Sequence, residues 1–297
     1  MSIVTLQGVE RRFGRTRALD GVDLLIDTPQ VVGLVGRNGA GKSTLLRLLP
    51  PLLPASAGQV RVFDRDPWTD EEAIRTRLGY VSDQDRFPPY LRADDIFDLC
   101  QDCYPSWDPA LVERFTSRFA LDRRRRLSQL SKGQQRQIAL LAGIGHRPEL
   151  LILDEPAGGL DPVARRELLQ VLVELLAEAG STVLFASHQF GDVNRLAERL
   201  VIVHQGRILR DGDLHGLLGG YCRALVPTTS RPPAVPWCLG DNRRIDGLEL
   251  LLECPMSEAV ERLQGVDAAI EVLTIEPIGL EDLFIALTGR DERDAPA

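Results

Sequence analysis

Three clusters of residues in this sequence have the types and spacing to handle a polyphosphate. Gly36-Arg37-Asn38-Gly39-Ala40-Gly41-Lys42-Ser43, followed by Thr44, fits G-x-x-x-x-G-K-[ST]. Glycines let a backbone wrap the β- and γ-phosphates with N–H groups, Lys42 brings a compact cation, and Ser43 offers a hydroxyl to Mg²⁺. Further on, Leu150-Leu151-Ile152-Leu153 is an apolar run that ends in two acids, Asp154 and Glu155. A carboxylate at the C-terminal edge of a strand suits Mg²⁺ held through water, which is the role expected of Asp154. Glu155 then falls near the γ-phosphate, where a carboxylate orients or deprotonates the attacking water. His188, directly after the run Thr182 to Ser187, is expected on the same edge, in reach of that phosphate.

Such groups need a scaffold that gathers strand ends. Val31 to Val35 is a continuous β-branched-rich run that reads as a buried parallel strand, with a Gly-rich turn and a helix over Ser43 to Leu49 behind it. Strands are expected at Ile3 to Gly8, Val22 to Ile26, Gln59 to Phe63, Leu78 to Ser82, Leu150 to Leu153, Thr182 to Ala186, Leu200 to His204 and Arg207 to Arg210. Helices are expected at Pro162 to Glu178 and after His188, and three more, at Asp94 to Asp102, Pro109 to Phe119 and Ser131 to Gly145, form an insertion over about 86–147. Strands alternating with helices mean an α/β fold with a mainly parallel sheet covered on both faces. Pro227, Pro232, Pro233 and Pro236 punctuate the chain beyond it, so a main domain over 1–218 and a small α+β appendage over 219–297 are expected.

Composition excludes other classes. The 297 residues, 44% hydrophobic and 26% charged, have the profile of a soluble globular protein. Lysine is nearly absent: of 35 Lys and Arg residues only Lys42 and Lys132 are lysines. Lys42 precedes Ser43-Thr44 and Lys132 precedes Gly133-Gln134, so a guanine-reading Asn-Lys-x-Asp motif is impossible. A net charge of -8 gives no general attraction to nucleic acid, and none is expected as a partner. The basic run Arg123 to Arg126 reads as a solvated helix end, with a contact to lipid headgroups or to a partner's acidic loop as the other reading. No apolar run approaches the length of a membrane span, and Met1 to Arg12 lacks the pattern of a secretion signal. The five cysteines are expected as free thiols, Cys100-x-x-Cys103 having no second pair at zinc spacing. His146, His204 and His215 have no evident partners in the sequence.

Leu130-Ser131-Lys132-Gly133-Gln134-Gln135 resembles the L-S-G-G-Q signature of ATP-binding cassette (ABC) proteins, with Lys132 in place of the first glycine. The resemblance covers residues 1 to about 218 in the family's order. Gln84 looks like the Q-loop glutamine, Leu160-Asp161 like the D-loop, Ser187-His188 like the switch histidine, and Phe13 like the aromatic on which adenine stacks. It implies a P-loop NTPase cassette with an antiparallel β subdomain and a helical insertion, taking ATP and Mg²⁺. The metal would meet Ser43, Gln84 and Asp154; Glu155, Gln84 and His188 would serve hydrolysis. ATP would be held by Phe13, by Gly36, Arg37, Asn38, Gly39, Ala40, Gly41, Lys42, Ser43 and Thr44, and by Ser131, Gly133, Gln134 and Asp161. Gly158 stands where the family commonly has serine, and Pro29-Gln30 where a Gly-Glu turn is usual.

Ser131 is a good N-cap and Gly133 leaves its N–H open, so the signature makes a second anion site at a helix start. In the resembled family that site closes over the ATP of a second copy, or of a paralogous cassette, in a head-to-tail dimer with two equivalent sites. A cassette without a membrane span delivers its motion elsewhere, and the family docks a separate transmembrane permease near the helical insertion. Tyr104 to Asp108 and Leu280 to Gly289 look like ATPases of ABC-2-type exporters. The resemblance thus implies a cytoplasmic ATPase subunit, peripheral on the inner face of the plasma membrane, driving an exporter. The alternative is a single-cassette soluble ABC ATPase in a non-transport assembly or regulatory process. An ATP-binding regulator without turnover is disfavoured by the presence of Glu155 and His188.

Overall fold

A computed structural model describes residues 2–83, 87–227, 233, 235–268 and 270–294, with the backbone alone for 175–179 and 290–294. In chain order the elements are β1 (Val4–Phe13), β2 (Thr16–Ile26), β3 (Val31–Val35), α1 (Lys42–Leu48), β4 (Ala57–Val62), α2 (Glu71–Arg75) and β5 (Leu78–Val81). Then follow α3 (Ala93–Cys103), α4 (Pro109–Arg118), a 3-10 turn at Leu127–Gln129, α5 (Lys132–Ile144), β6 (Leu150–Asp154), α6 (Pro162–Ala179), β7 (Thr182–Ala186), α7 (Phe190–Leu196), β8 (Arg199–His204) and β9 (Arg207–Asp213). The chain ends in α8 (Leu214–Gly219), β10 (Cys222–Val226), β11 (Cys238–Arg243), β12 (Leu248–Leu252), α9 (Met256–Val266), β13 (Thr274–Pro277) and α10 (Leu280–Asp294). It divides into two compact units, 1–197 with 203–208, and 198–202 with 209–297.

The first unit owes its order to strands that are apolar on both faces. All five residues of β3, of β6 and of β7 are buried, which a strand tolerates only at the centre of a sheet with helices on both sides. They pair in parallel, β5 with β6, β6 with β7 and β7 with β3, in a six-stranded sheet of order β5-β6-β7-β3-β8-β9. A separate antiparallel sheet, β2-β1-β4, is built from strands whose burial alternates. Helix starts follow local chemistry: Asp108 caps α4 and Asp161 caps α6, each with proline at the first helical position.

Two sequence expectations change here. Arg123 to Arg126 is not a helix end: α4 stops at Arg118, Ala120 turns the chain at φ 50°, and the arginines lie in the turn beyond. Arg123 latches that turn, its Nε 2.6 Å from Asp94 and its Nη1 2.8 Å from Glu113, with its guanidinium over the Phe97 ring. His146 does have partners. It is buried, Nε2 donates to the Leu78 carbonyl at 3.2 Å, and the ring stacks on Tyr104 at 4.1 Å between centroids. Burial pushes its pKa down, so the imidazole is neutral.

The second unit carries an antiparallel four-stranded sheet, β11-β12-β10-β13. Alternate residues Cys222, Ala224 and Val226 of β10 and Leu248, Leu250 and Leu252 of β12 pack with Ala259 and Leu263 of α9. Period-two alternation along both central strands puts one apolar face against that helix.

Candidate functional site

The phosphate loop runs from the end of β3 into α1, and two of its glycines are required by space. A Cβ at Gly36 would stand 2.4 Å from the Val203 carbonyl oxygen. Gly41, the N-cap of α1, has φ 109°, and a Cβ there would meet the Ala18 carbonyl oxygen at 2.6 Å. Lys42 is only 7% exposed, and its Nζ donates to the carbonyls of Gly36 at 2.6 Å and Arg37 at 3.3 Å, which curls the loop around its own cation. Burial lowers the Lys42 pKa, while the nearby Glu155 and Asp154 carboxylates oppose that shift.

The end of β6 faces this loop. Asp154 is 1% exposed; its Oδ1 accepts from the Ser43 hydroxyl at 3.0 Å, and its Oδ2 is buried with no hydrogen-bond partner. Burial raises its carboxyl pKa above the ordinary aspartate value, with the Ser43 hydrogen bond and the charges of Arg47 and Lys42 pulling the other way. A hydroxyl and a carboxylate with an unsatisfied buried oxygen are hard donors, the set that fits Mg²⁺.

Glu155 is a non-glycine residue in the left-handed region, at φ 51°. Its N–H donates to the Ala186 carbonyl at 3.0 Å, tying the end of β6 to the end of β7. Its Oε2 lies 2.8 Å from Nδ1 of His188. An ionised carboxylate only accepts, so a neutral His188 carries its proton on Nδ1 and a lone pair on Nε2. Burial raises the Glu155 pKa above the usual glutamate value, against the lowering effects of His188 and Lys42. Glu155 and His188 line one cleft of about 770 Å³ with Asn38, Arg136 and Lys132.

Known proteins resemble this chain in sequence and fold. The family model for ABC transporters matches residues 19–158. Daunorubicin resistance ATP-binding protein DrrA3 of Streptomyces coeruleorubidus is 31% identical over 98% of this chain and 97% of its own length. Daunorubicin/doxorubicin resistance ATP-binding protein DrrA of Streptomyces peucetius is 32% identical over 98% of this chain and 94% of its own. A dimeric, post-hydrolysis structure of an ATP-binding cassette with ADP and Pi bound superposes with TM-score 0.61 at 25% identity, covering 71% of this chain and 98% of that one. The chain belongs to the ABC transporter ATP-binding family. Its chemistry is the binding and hydrolysis of ATP.

Within this ABC ATPase the expected site residues fall into groups. Gly36 to Thr44, Asp154, Glu155 and His188 converge at the ends of β3, β6 and β7. Ser131 and Gln134 form a capping box at the start of α5, the Ser131 Oγ accepting from Gln134 N–H and the Gln134 Oε1 from Ser131 N–H. Gly133 sits between them, half-buried, and Lys132 is exposed on the wall of the Glu155 cleft. The Asp161 carboxylate is occupied in capping α6, accepting from Val163 and Ala164. Phe13 stands apart on the β1–β2 hairpin, 48% exposed, with the Arg11 guanidinium 4.6 Å from its ring centre. Gln84 lies outside the described residues.

The residue that sequence reasoning missed is Arg136. It is 9% exposed and touches the backbone of Glu155. An arginine two places beyond the signature glutamine was its only sequence signal, and nothing in the pattern showed that it is buried.

Proposed function

We propose that this chain is the ATP-hydrolysing subunit of an exporter, working as a pair of cassettes beneath a separate membrane permease. The observation that carries the reading is the junction of β6 with the phosphate loop: Asp154 on the Ser43 hydroxyl, and Glu155 on His188. In this reading the loop N–H groups and Lys42 bind the β- and γ-phosphates, moving the ammonium from loop carbonyls onto phosphate oxygens. Ser43 and Asp154, with Gln84, would hold Mg²⁺, which when bound neutralises charge on the phosphates. Glu155 accepts a proton from the attacking water, and burial, by raising its pKa, makes it a stronger base than an ordinary glutamate. His188 orients that carboxylate through its Nδ1–H.

The start of α5 completes the site of a second copy, and the dimeric form of the solved cassette supports that arrangement. Phe13 stacks adenine, while the Gly133 N–H, between the two N–H groups that the Ser131–Gln134 capping box occupies, is offered to the partner's ATP. Docking of the permease is supported by a second groove, of about 410 Å³, between the α3–α5 insertion and the β5 edge. Leu52, Tyr80, Cys100, Tyr104 and His146 line it. Trp107, by contrast, packs inside the insertion against Phe97. Export is supported by the resistance roles named for the two daunorubicin relatives. Among the described residues no helix is long and apolar enough to cross a membrane; in this reading the permease supplies the span and the subunit works at the cytoplasmic face.

The experiment is Glu155→Gln. The variant is expected to bind ATP normally, to hydrolyse it about 10²–10⁴-fold more slowly, and to accumulate as an ATP-bound dimer in gel filtration. Hydrolysis at the parental rate would remove Glu155 from its role. Purification from detergent-solubilised membranes with a multi-span protein tests the transport assignment, and recovery with soluble partners alone overturns it.

A further inference from the structure

We propose that Arg136 is a positioning residue for Glu155, joining the signature helix to the backbone of the catalytic carboxylate and to the end of β5 through one guanidinium. The inference rests on the role given to Glu155 above. Arg136 lies in α5, the helix that Ser131 caps. Its Nη1 donates to the Ser82 carbonyl at 2.5 Å, and its Nη2 donates to Asp83 Oδ1 at 2.9 Å and to the Glu155 carbonyl at 3.0 Å. One side chain on a helix thus holds acceptors from the ends of two strands, β5 and β6.

Three features make this more than a packing contact. The planar guanidinium offers several donors in fixed directions, so it serves three acceptors at once, which an ammonium on a flexible stem does not. Glu155 has the left-handed φ of 51°, a conformation that persists only when neighbours hold it. Its N–H is fixed by Ala186, and its carbonyl by Gly158 N–H and by Arg136. Finally, Gly158 keeps the space open: a Cβ there would stand 3.2 Å from the Glu155 carbonyl oxygen and 3.5 Å from Asp83 Oδ1. The glycine found where the family commonly has serine therefore sits against the two groups that Arg136 joins.

The functional consequence is mechanical. A shift of α5 against the sheet pulls on the Glu155 carbonyl, and the same residue's carboxylate moves relative to His188 and the bound phosphate. Arg136 therefore makes hydrolysis depend on where the signature helix stands, while its hydrogen bonds go to Ser82, Asp83 and Glu155 and leave the phosphate loop free to bind ATP.

The test uses the purified full-length chain with Arg136→Met, Arg136→Lys and, as a reference, Glu155→Gln. Arg136→Met is expected to lower kcat about 10- to 100-fold, the cost of misplacing a reacting group, with KM for ATP and the affinity for a fluorescent ATP analogue within about two-fold of parent. Arg136→Lys restores the charge but not the fork and is expected within about three-fold of the Met variant. Should Arg136→Met fail to fold, Asp83→Asn loosens one of the three contacts and is expected to lower kcat a few-fold with KM unchanged. Parental kcat in the Arg136 variants, or a kcat loss that Arg136→Lys fully restores, overturns the proposal while an inactive Glu155→Gln keeps the reading of Glu155. An active Glu155→Gln overturns both.

Discussion

Asp154→Asn should make the nucleotide-free protein more stable and catalytically dead. Asp154 is 1% exposed, with one oxygen on the Ser43 hydroxyl and the other unpaired. Burial lifts its pKa above the ordinary aspartate value, so keeping it ionised in the folded, metal-free protein costs about 1.4 kcal/mol for each pH unit of lift. Asparagine has nearly the same volume, still accepts from Ser43 and carries no charge. Against that gain stand the lost attraction of Arg47 and Lys42 and an amide N–H₂ without a buried acceptor. A net gain in stability is expected at pH 8, read as a higher Tm than the parent's.

The sign with pH is the discriminating part. A carboxyl whose folded pKa lies above its unfolded value lets the folded state hold more protons between the two, so stability falls as pH rises through that window. The penalty is complete above the folded value. The advantage of Asp154→Asn is therefore largest at pH 8 and shrinks as the pH is lowered toward that value. The assay is thermal unfolding in EDTA at steps from pH 8 to about pH 5.5, at low protein concentration because the isoelectric point is near 5.2. Mg²⁺ with ATP should raise the parent's Tm by ligand linkage and move the variant far less. A variant less stable than the parent at pH 8 without metal, or an advantage that grows as the pH is lowered, would refute the reasoning.

Gly41→Ala forces a Cβ to 2.6 Å from a backbone oxygen at φ 109°, and should cost roughly 1–3 kcal/mol in urea unfolding together with most ATP affinity. Lys42→Arg places a planar fork in a slot shaped around two loop carbonyls, and should slow hydrolysis at least about 10²-fold in a phosphate-release assay. The acid limb of kcat/KM against pH should lie above 4.5, because Glu155 must be ionised and burial raises its pKa. His188→Ala removes a group that lowers it, so the limb should move to higher pH; an unmoved limb would separate His188 from the base.

The chemistry of the site and most of the elements around it were written locally. The glycines of 36–43 are dictated by close approach and left-handed backbone, Ser131 and Asp161 by the orphan N–H groups of a helix start, and β3, β6 and β7 by runs apolar on both faces. Each depends on a few neighbouring residues, so a sequence carries it. β11 was not legible, because its boundaries are set by pairing with β12 rather than by a strong pattern of its own.

Only the tertiary structure decided which polar groups meet. His146 looked solitary, yet it is buried on Tyr104 and Leu78, residues distant along the chain. Arg123 belonged to a basic run and proved to be a latch on Asp94 and Glu113. Arg136 looked like any helical arginine until α5 was laid against the ends of β5 and β6. The sequence by itself determined that ATP would be bound and by which loop, since phosphate binding needs a contiguous backbone conformation. The tertiary structure decided what holds Glu155 in place, because that depends on side chains arriving from separate elements, and burial is what makes their pairing obligatory.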